Sequence, residues 1–142
     1  MKVLHLETGR HLYGGARQVA NLIHGLAGRG VENLLVCTQG HALAGQVPAR
    51  VVEWRLSGDI DLSLSRRLAR LARESGADLI HVHSRRGADT FGGRAAQAAG
   101  IPSVLTRRVQ SAEPSAWLRY KCRPYTRMVA ISTAVRDELR RA

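Results

Sequence analysis

The sequence predicts an α/β domain of Rossmann-like type, a doubly wound, mostly parallel sheet with helices on both faces. Three observations predict it. Short apolar runs alternate with helix-periodic segments along nearly the whole chain. The apolar runs lack the strict apolar/polar alternation of a half-solvated sheet, so they read as strands covered on both faces. Glycines stand where strands give way to helices and where helices end.

In order, Lys2 to Leu6 reads as a short buried strand, followed by the turn-rich Thr8-Gly9-Arg10-His11-Leu12-Tyr13-Gly14-Gly15. From Ala16, residues Val19, Leu22, Ile23 and Leu26 form one helical stripe, and Gly30 stands where a left-handed C-terminal residue is needed. Glu32 to Cys37 and Arg50 to Trp54 supply a second and third strand, with a Gly/Gln/Pro loop between them. A helix over Asp61 to Glu74 puts Leu64, Leu68, Leu71 and Ala72 on one face and Arg66, Arg70 and Arg73 on the other, and Gly76 closes it. Asp78 to His83 is a fourth strand, Ala88 to Ala99 a helix of small residues, and Pro102 to Thr106 a fifth strand. Ala116 to Lys121 reads as a short helix and Arg127 to Ile131 as a sixth strand. Ser132 is the N-cap of a closing helix through Val135 and Leu139.

Composition bounds the function. A chain of 142 residues holds one core, so residues 1–142 are expected to form a single domain. The 44% hydrophobic content excludes a disordered chain, while 4% aromatic residues demand an aliphatic core. No apolar stretch approaches the roughly 20 residues that cross a bilayer, and no basic leader precedes the first strand, so a cytoplasmic location is expected. Cys37 and Cys122 form no Cys-x-x-Cys pair and are expected to be reduced, structural thiols. Lys and Arg number 22 against 11 Asp and Glu, a formal +11, which implies attraction to polyanions or an acidic membrane face.

In a doubly wound sheet, ligands sit beyond the C-terminal strand ends, and four groups of residues fall there. Gly14 and Gly15 open the first helix, where backbone N–H groups and the helix dipole can meet an anion; the alternative is a plain flexible turn. The loop is neither a Gly-x-Gly-x-x-Gly fingerprint nor a Walker loop, and no acidic ribose ligand ends the second strand. His81 and His83 share one face of the fourth strand. His83, at the strand's end, is the catalytic candidate, against the alternative of a hydrogen-bonded structural histidine. Neither cysteine supplies the further ligands that zinc would need, so no metal is expected. Arg85-Arg86 and Arg107-Arg108 follow the fourth and fifth strands, either clamping a phosphate or carboxylate or lying solvated on the rim. No Gly-x-Ser-x-Gly elbow or His-Glu-x-x-His helix is present, which leaves hydrolase and metalloprotease readings without support.

The charge alone would also permit a nucleic-acid-binding module. Against it stand one Phe, three Tyr and two Trp as stacking platforms and the absence of any helix-turn-helix or RNA-binding signature. A stand-alone sugar-nucleotide-binding domain of the same architecture is a further alternative.

Taken together, four segments carry a family resemblance: Gly14-Gly15-Ala16-Arg17 leading into Val19 to Gly30; Asp78-Leu79-Ile80-His81-Val82-His83-Ser84; Gly100-Ile101-Pro102 into Thr106-Arg107-Arg108-Val109; and Val129-Ala130-Ile131-Ser132-Thr133-Ala134-Val135. In this order the chain resembles the N-terminal domain of family 4 glycosyltransferases of the GT-B fold, especially bacterial transferases of lipopolysaccharide core. The resemblance implies transfer of a sugar from a nucleotide-sugar donor to a lipid-linked or saccharide acceptor, with retained anomeric configuration and without metal or cofactor. It implies a cleft between two Rossmann-like domains, of which this chain is the acceptor-side one. The donor-binding domain, with its Glu-x7-Glu segment, is absent from the chain, so the chain alone is expected to be inactive. Gly14 and Gly15 would approach the donor diphosphate or the acceptor, Arg17 assisting, and Arg85, Arg86, Arg107 and Arg108 would stabilise negative charge electrostatically. Many relatives carry a catalytic-site histidine where this sequence has Arg107-Arg108-Val109, so the catalytic residue stays open. A role in cell-envelope glycan synthesis and peripheral contact with an anionic inner membrane complete the expectation.

Overall fold

The computed structural model describes residues 1–9, 14–56, 60–85, 87–111 and 113–141. Six strands form one sheet: β1 (Lys2–Glu7), β2 (Glu32–Thr38), β3 (Arg50–Trp54), β4 (Leu79–Val82), β5 (Ser103–Arg107) and β6 (Arg127–Ala130). Their order is β3-β2-β1-β4-β5-β6, and every pair is parallel. The strand order reverses between β1 and β4, which places a crevice at the C-terminal ends of those two strands.

Alternate strand residues build two cores. Leu4 and Leu6, Leu34 and Val36, Ile80 and Val82, and Leu105 face α2 (Leu64–Ser75) and α3 (Ala88–Ala99) through Leu64, Leu68, Ala72, Ala95 and Ala96. On the opposite face, Leu35 and Cys37 meet Ala16, Val19 and Ile23 of α1 (Gly14–Ala27). Here the sheet carries an unusual stripe of polar residues: His5, Glu7, Asn33 and His83 are all buried. The chain closes with α4 (Ser115–Cys122) and α5 (Thr133–Arg141). Gly76 and Gly100 end α2 and α3 in the left-handed conformation, their N–H groups taking up the last helical carbonyls, as the spacing predicts.

Local physics explains the small residues of α3. A Cβ on Gly92 would lie 2.4 Å from Cγ2 of Val82, and one on Gly93 would lie 3.0 Å from Cβ of Pro124. Val82 is β-branched, has a stiff χ1 and is fully buried, so it cannot swing aside. Gly92→Ala is therefore expected to destabilise the fold by about 1–3 kcal/mol through overpacking, measured by urea denaturation.

The connection between β2 and β3 differs from a helical crossover. It is a single 3-10 turn, Ala42–Gly45, whose first turn is capped by Nδ1 of His41 accepting from the Leu43 N–H at 3.1 Å. Leu43, fully buried, plugs the α1-side core in place of a helix. The helix expected from Asp61 begins at Leu64, because Asp61 Oδ1 takes the Ser63 N–H at 3.0 Å and holds a turn outside the helix. Cys37 is buried and Cys122 half-buried, and neither is paired.

Candidate functional site

At the β1/β4 reversal lies a cavity of about 220 Å³. Glu7 and Gly9 line it at the end of β1 and just beyond, Gly15 and Ala16 from α1, His83 to Arg85 from the segment after β4, and Arg107 to Val109 from the end of β5 and just beyond. Thr8 ties β1 to β4, its N–H donating to Ser84 Oγ at 2.8 Å and its hydroxyl meeting the same oxygen at 2.9 Å. Gly15 and Ala16, in the first turn of α1, bring the N-terminal end of that helix to this space.

A hydrogen-bonded chain across three strands sets the chemistry of His83. Asn33 Nδ2 donates to the Val31 carbonyl at 2.9 Å, which leaves Oδ1 facing His5 Nε2 at 3.0 Å. His5 Nε2 must therefore carry the proton, and its bare Nδ1 accepts from His83 Nε2 at 3.0 Å. His83 is left with a bare Nδ1, which faces Arg108 Nη2 at 3.4 Å, while Arg108 Nη1 donates to the His83 carbonyl at 2.7 Å. One buried histidine thus braces the guanidinium from two points, its backbone carbonyl and its ring.

Burial keeps these rings neutral. It lowers His5 to about 4, against the raising effect of Asn33, and His81 to about 3, with the neighbouring His5 and Arg108 adding to the effect. His83 lies well below the usual histidine range for the same reasons. Burial also raises Glu7, opposed by the Gly9 N–H and by the attraction of Arg108. Burial lowers Arg108, and Glu7 pulls it back.

His5, His81 and His83 bring ligand atoms within 4.8 Å of one another, close enough to hold a metal ion. The chemistry of the set is that of a self-satisfied chain: His5 and His83 spend facing nitrogens on each other, His81 Nε2 meets Thr106 Oγ1 at 2.8 Å, and a guanidinium stands beside His83. A fixed cation there opposes a second one.

The sequence-predicted residues divide sharply. Gly15, His83, Arg85, Arg107 and Arg108 line one cavity. Gly14 is exposed at the start of α1, and Arg17 is exposed on its first turn, outside the cavity lining. Arg86 lies outside the described residues, as does most of the turn that precedes Gly14. His81 sits one row deeper, on the same face as His83.

Arg107 corrects the expectation of a four-arginine clamp. Only 3% exposed, its guanidinium is taken up by carboxylates: Glu113 at 3.1 Å, Glu138 at 3.5 Å and Asp89 at 4.0 Å, with Ser111 also accepting from it. Buried Lys121 joins the cluster at 2.7 Å from both Asp89 and Glu113. Burial would raise Glu113, but hydrogen bonds from Lys121, Ser111 and Arg107 hold it at about 2. This nest fastens α4 and α5 to the strand ends. Arg107 thus borders the cavity but spends its charge on these carboxylates, whereas Arg108, one residue on and facing the other side of the sheet, points its guanidinium at His83.

Sequence reasoning missed His5, Glu7, Asn33 and the carboxylate partners of Arg107. The first two did leave a signal, polar residues at alternate positions of an otherwise apolar strand. The carboxylates left none, since they come from three separate stretches of the chain: α3, the loop before α4, and α5.

Comparison with known proteins agrees with this architecture. Residues 13–142 match the model of Glycosyltransferase Family 4. No curated protein sequence matches the chain. Among solved structures, Anabaena HepE in complex with UDP is 20% identical with a TM-score of 0.74, covering 99% of this chain and 40% of that one. Acinetobacter baumannii MurG is 13% identical with a TM-score of 0.70, covering 91% and 40%. A UDP-N-acetylglucosamine 2-epimerase from Listeria monocytogenes, so described, is 10% identical with a TM-score of 0.77, covering 99% and 41%. At these identities the likeness shows the fold, and the chain spans about 40% of the length of the structures it matches. With the family match covering nearly all of its length, this chain belongs to glycosyltransferase family 4.

Proposed function

We propose that the chain is the acceptor-side half of a retaining glycosyltransferase. It would work with a donor-binding domain not included in these residues, moving a sugar from a nucleotide-sugar to a lipid-linked or saccharide acceptor in cell-envelope glycan synthesis. One observation carries the reading: the cavity at the β1/β4 reversal joins the N-terminus of α1 to a guanidinium braced by His83. Family membership supports it, as does the UDP and UDP-glucose held by HepE.

Physically, a departing diphosphate gathers negative charge as the sugar leaves, and fixed donors stabilise it without a metal. Arg108 supplies charge that is already oriented, so no ordering cost falls on the reaction. The backbone donors of Gly15 and Ala16 add the dipole of α1. Neutral His83 keeps its bare Nδ1 toward Arg108 and is a positioning group in this scheme. Arg85, exposed at the mouth, meets the anion as it enters. Without the donor-binding domain the chain does not turn over. Its positive charge serves a peripheral contact with an anionic membrane.

The test is a titration of the isotopically labelled chain with UDP and with inorganic pyrophosphate. Amide signals of Gly15, Ala16 and Val109 are expected to move. Arg108→Gln is expected to weaken binding roughly tenfold or more, in line with the loss of a charge-assisted hydrogen bond. Unchanged affinity in that variant, or signals moving only elsewhere, would refute the site.

A further inference from the structure

Among the described residues, Glu7 is the one acid of the cavity lining without an ion pair. Asp89, the other acid of the lining, has the Lys121 ammonium at 2.7 Å. Glu7 ends β1 on the same face as His5 and is 5% exposed. Its one side-chain hydrogen bond among the described residues is accepted by Oε1 from the Gly9 N–H at 2.8 Å. A Cβ at position 9 would lie 2.8 Å from that oxygen, so glycine there lets the carboxyl rest against the backbone. Arg108 attracts this carboxyl from beyond ion-pair distance.

An anion that enters the cavity therefore meets a buried carboxyl as well as a guanidinium. Two negative groups in one small cavity repel, and the one more readily neutralised is the acid whose charged form burial already disfavours. A diphosphate also draws on Arg108, whose attraction is one of the two effects that hold Glu7 down. With that attraction spent, the protonated carboxyl is favoured further. Once protonated, it is no longer an acceptor alone: its O–H is a donor, and an O–H···O⁻ bond to a phosphate oxygen is of the strong, charge-assisted kind.

The other groups around Glu7 leave the proton to it. Burial holds His5 on β1, His81 on β4 and His83 just after it neutral. Burial first, then Glu53 of β3 and Glu7 itself, push the thiol of Cys37, opposite Glu7 on β2, up to about 11. From α1 the cavity receives Gly15 and Ala16, which carry no ionisable side chain. Arg107 at the end of β5 and Asp89 of α3 are spent on the charged nest, and Arg85 stands exposed at the mouth. We infer that Glu7 serves the cavity as a neutral carboxylic acid, donating a hydrogen bond to the bound diphosphate, so that anion and proton are taken up together. The assignment deepens the proposed function and rests on its anion cavity.

The experiment follows the amide signals of Gly15, Ala16 and Val109 in the labelled 142-residue chain as UDP-glucose is added at pH 6 and at pH 8. The diphosphate of UDP-glucose is fully ionised throughout this range and brings no proton of its own. Wild-type affinity is expected to fall about fivefold or more toward pH 8, where the cavity must first recover its proton. Glu7→Gln keeps a donor and cannot titrate; it is expected to bind equally at both pH values and, at pH 8, about fivefold more tightly than wild type. Glu7→Ala is expected to be equally flat but about fivefold weaker than Glu7→Gln, since the donor is gone. Calorimetry of the wild type at pH 7, in MOPS and in imidazole, is expected to show about half a proton or more taken up per ligand bound, and it decides alone if the variants do not fold. A pH-independent wild-type affinity, no proton uptake, a Glu7→Gln profile as steep as the wild type's, or Glu7→Ala matching Glu7→Gln overturns the assignment and leaves the anion cavity standing. Absence of UDP-glucose binding at both pH values overturns this assignment and the cavity together.

Discussion

Lys121→Met is expected to lower the unfolding free energy by about 3–5 kcal/mol, the cost of leaving buried charge uncompensated. Lys121 is 3% exposed, and its ammonium lies 2.7 Å from both Asp89 and Glu113. Its removal leaves three carboxylates, Asp89, Glu113 and Glu138, sharing Arg107 alone. Chemical denaturation measures the loss. The double variant Lys121→Met/Asp89→Leu is expected to recover part of it, because an apolar pair of similar volume needs no counter-charge. If the single variant unfolds at the wild-type midpoint, the nest contributes nothing and the account of Arg107 as a structural cation fails.

The second large effect is a loss of stability in mild acid. His5 is held neutral down to about pH 4, whereas in the unfolded chain it takes up a proton near its ordinary value of 6.5. Between those values the unfolded state binds more protons than the folded one, so stability falls as the pH drops through the window. His5 alone accounts for on the order of 3 kcal/mol, and His83, shifted in the same direction, deepens the fall. Unfolding free energies measured between pH 7 and pH 4 test this. Asn33→Leu, which strips the first acceptor from the chain while leaving the histidines in place, is expected to preserve the slope but lower the whole curve. His5→Asn is expected to flatten it, and an equally steep curve in that variant would show the acid sensitivity to lie elsewhere.

Much of this architecture is legible in the residues. Each strand appears as an apolar run, and the lack of strict alternation in β1, β2 and β4 already says parallel, because both faces are covered. Gly76 and Gly100 mark helix ends because the positive φ there leaves little choice of residue. The link between β2 and β3 was legible as a loop, but not that a single buried leucine, Leu43, does there what a helix usually does. At the candidate site, position along the chain brought Gly15, His83, Arg85 and Arg108 to one rim. It could not separate Arg107 from Arg108, because their difference depends on carboxylates 18 residues before and 31 residues after Arg107 in the chain, at Asp89 and Glu138. Likewise, His5 and Asn33 acquire their roles only when β2, β1 and β4 lie side by side.

Consecutive guanidiniums at the end of β5 also make its alignment self-checking. Sliding the strand one way would carry Arg107 into the place of Thr106 beside His81, and sliding it the other way would take Arg107 from Glu138 and leave Asp89 and Glu113 with Lys121 alone. A slip in either direction is thus penalised, so two adjacent like charges, an apparent liability in a strand, act as a lock on its threading.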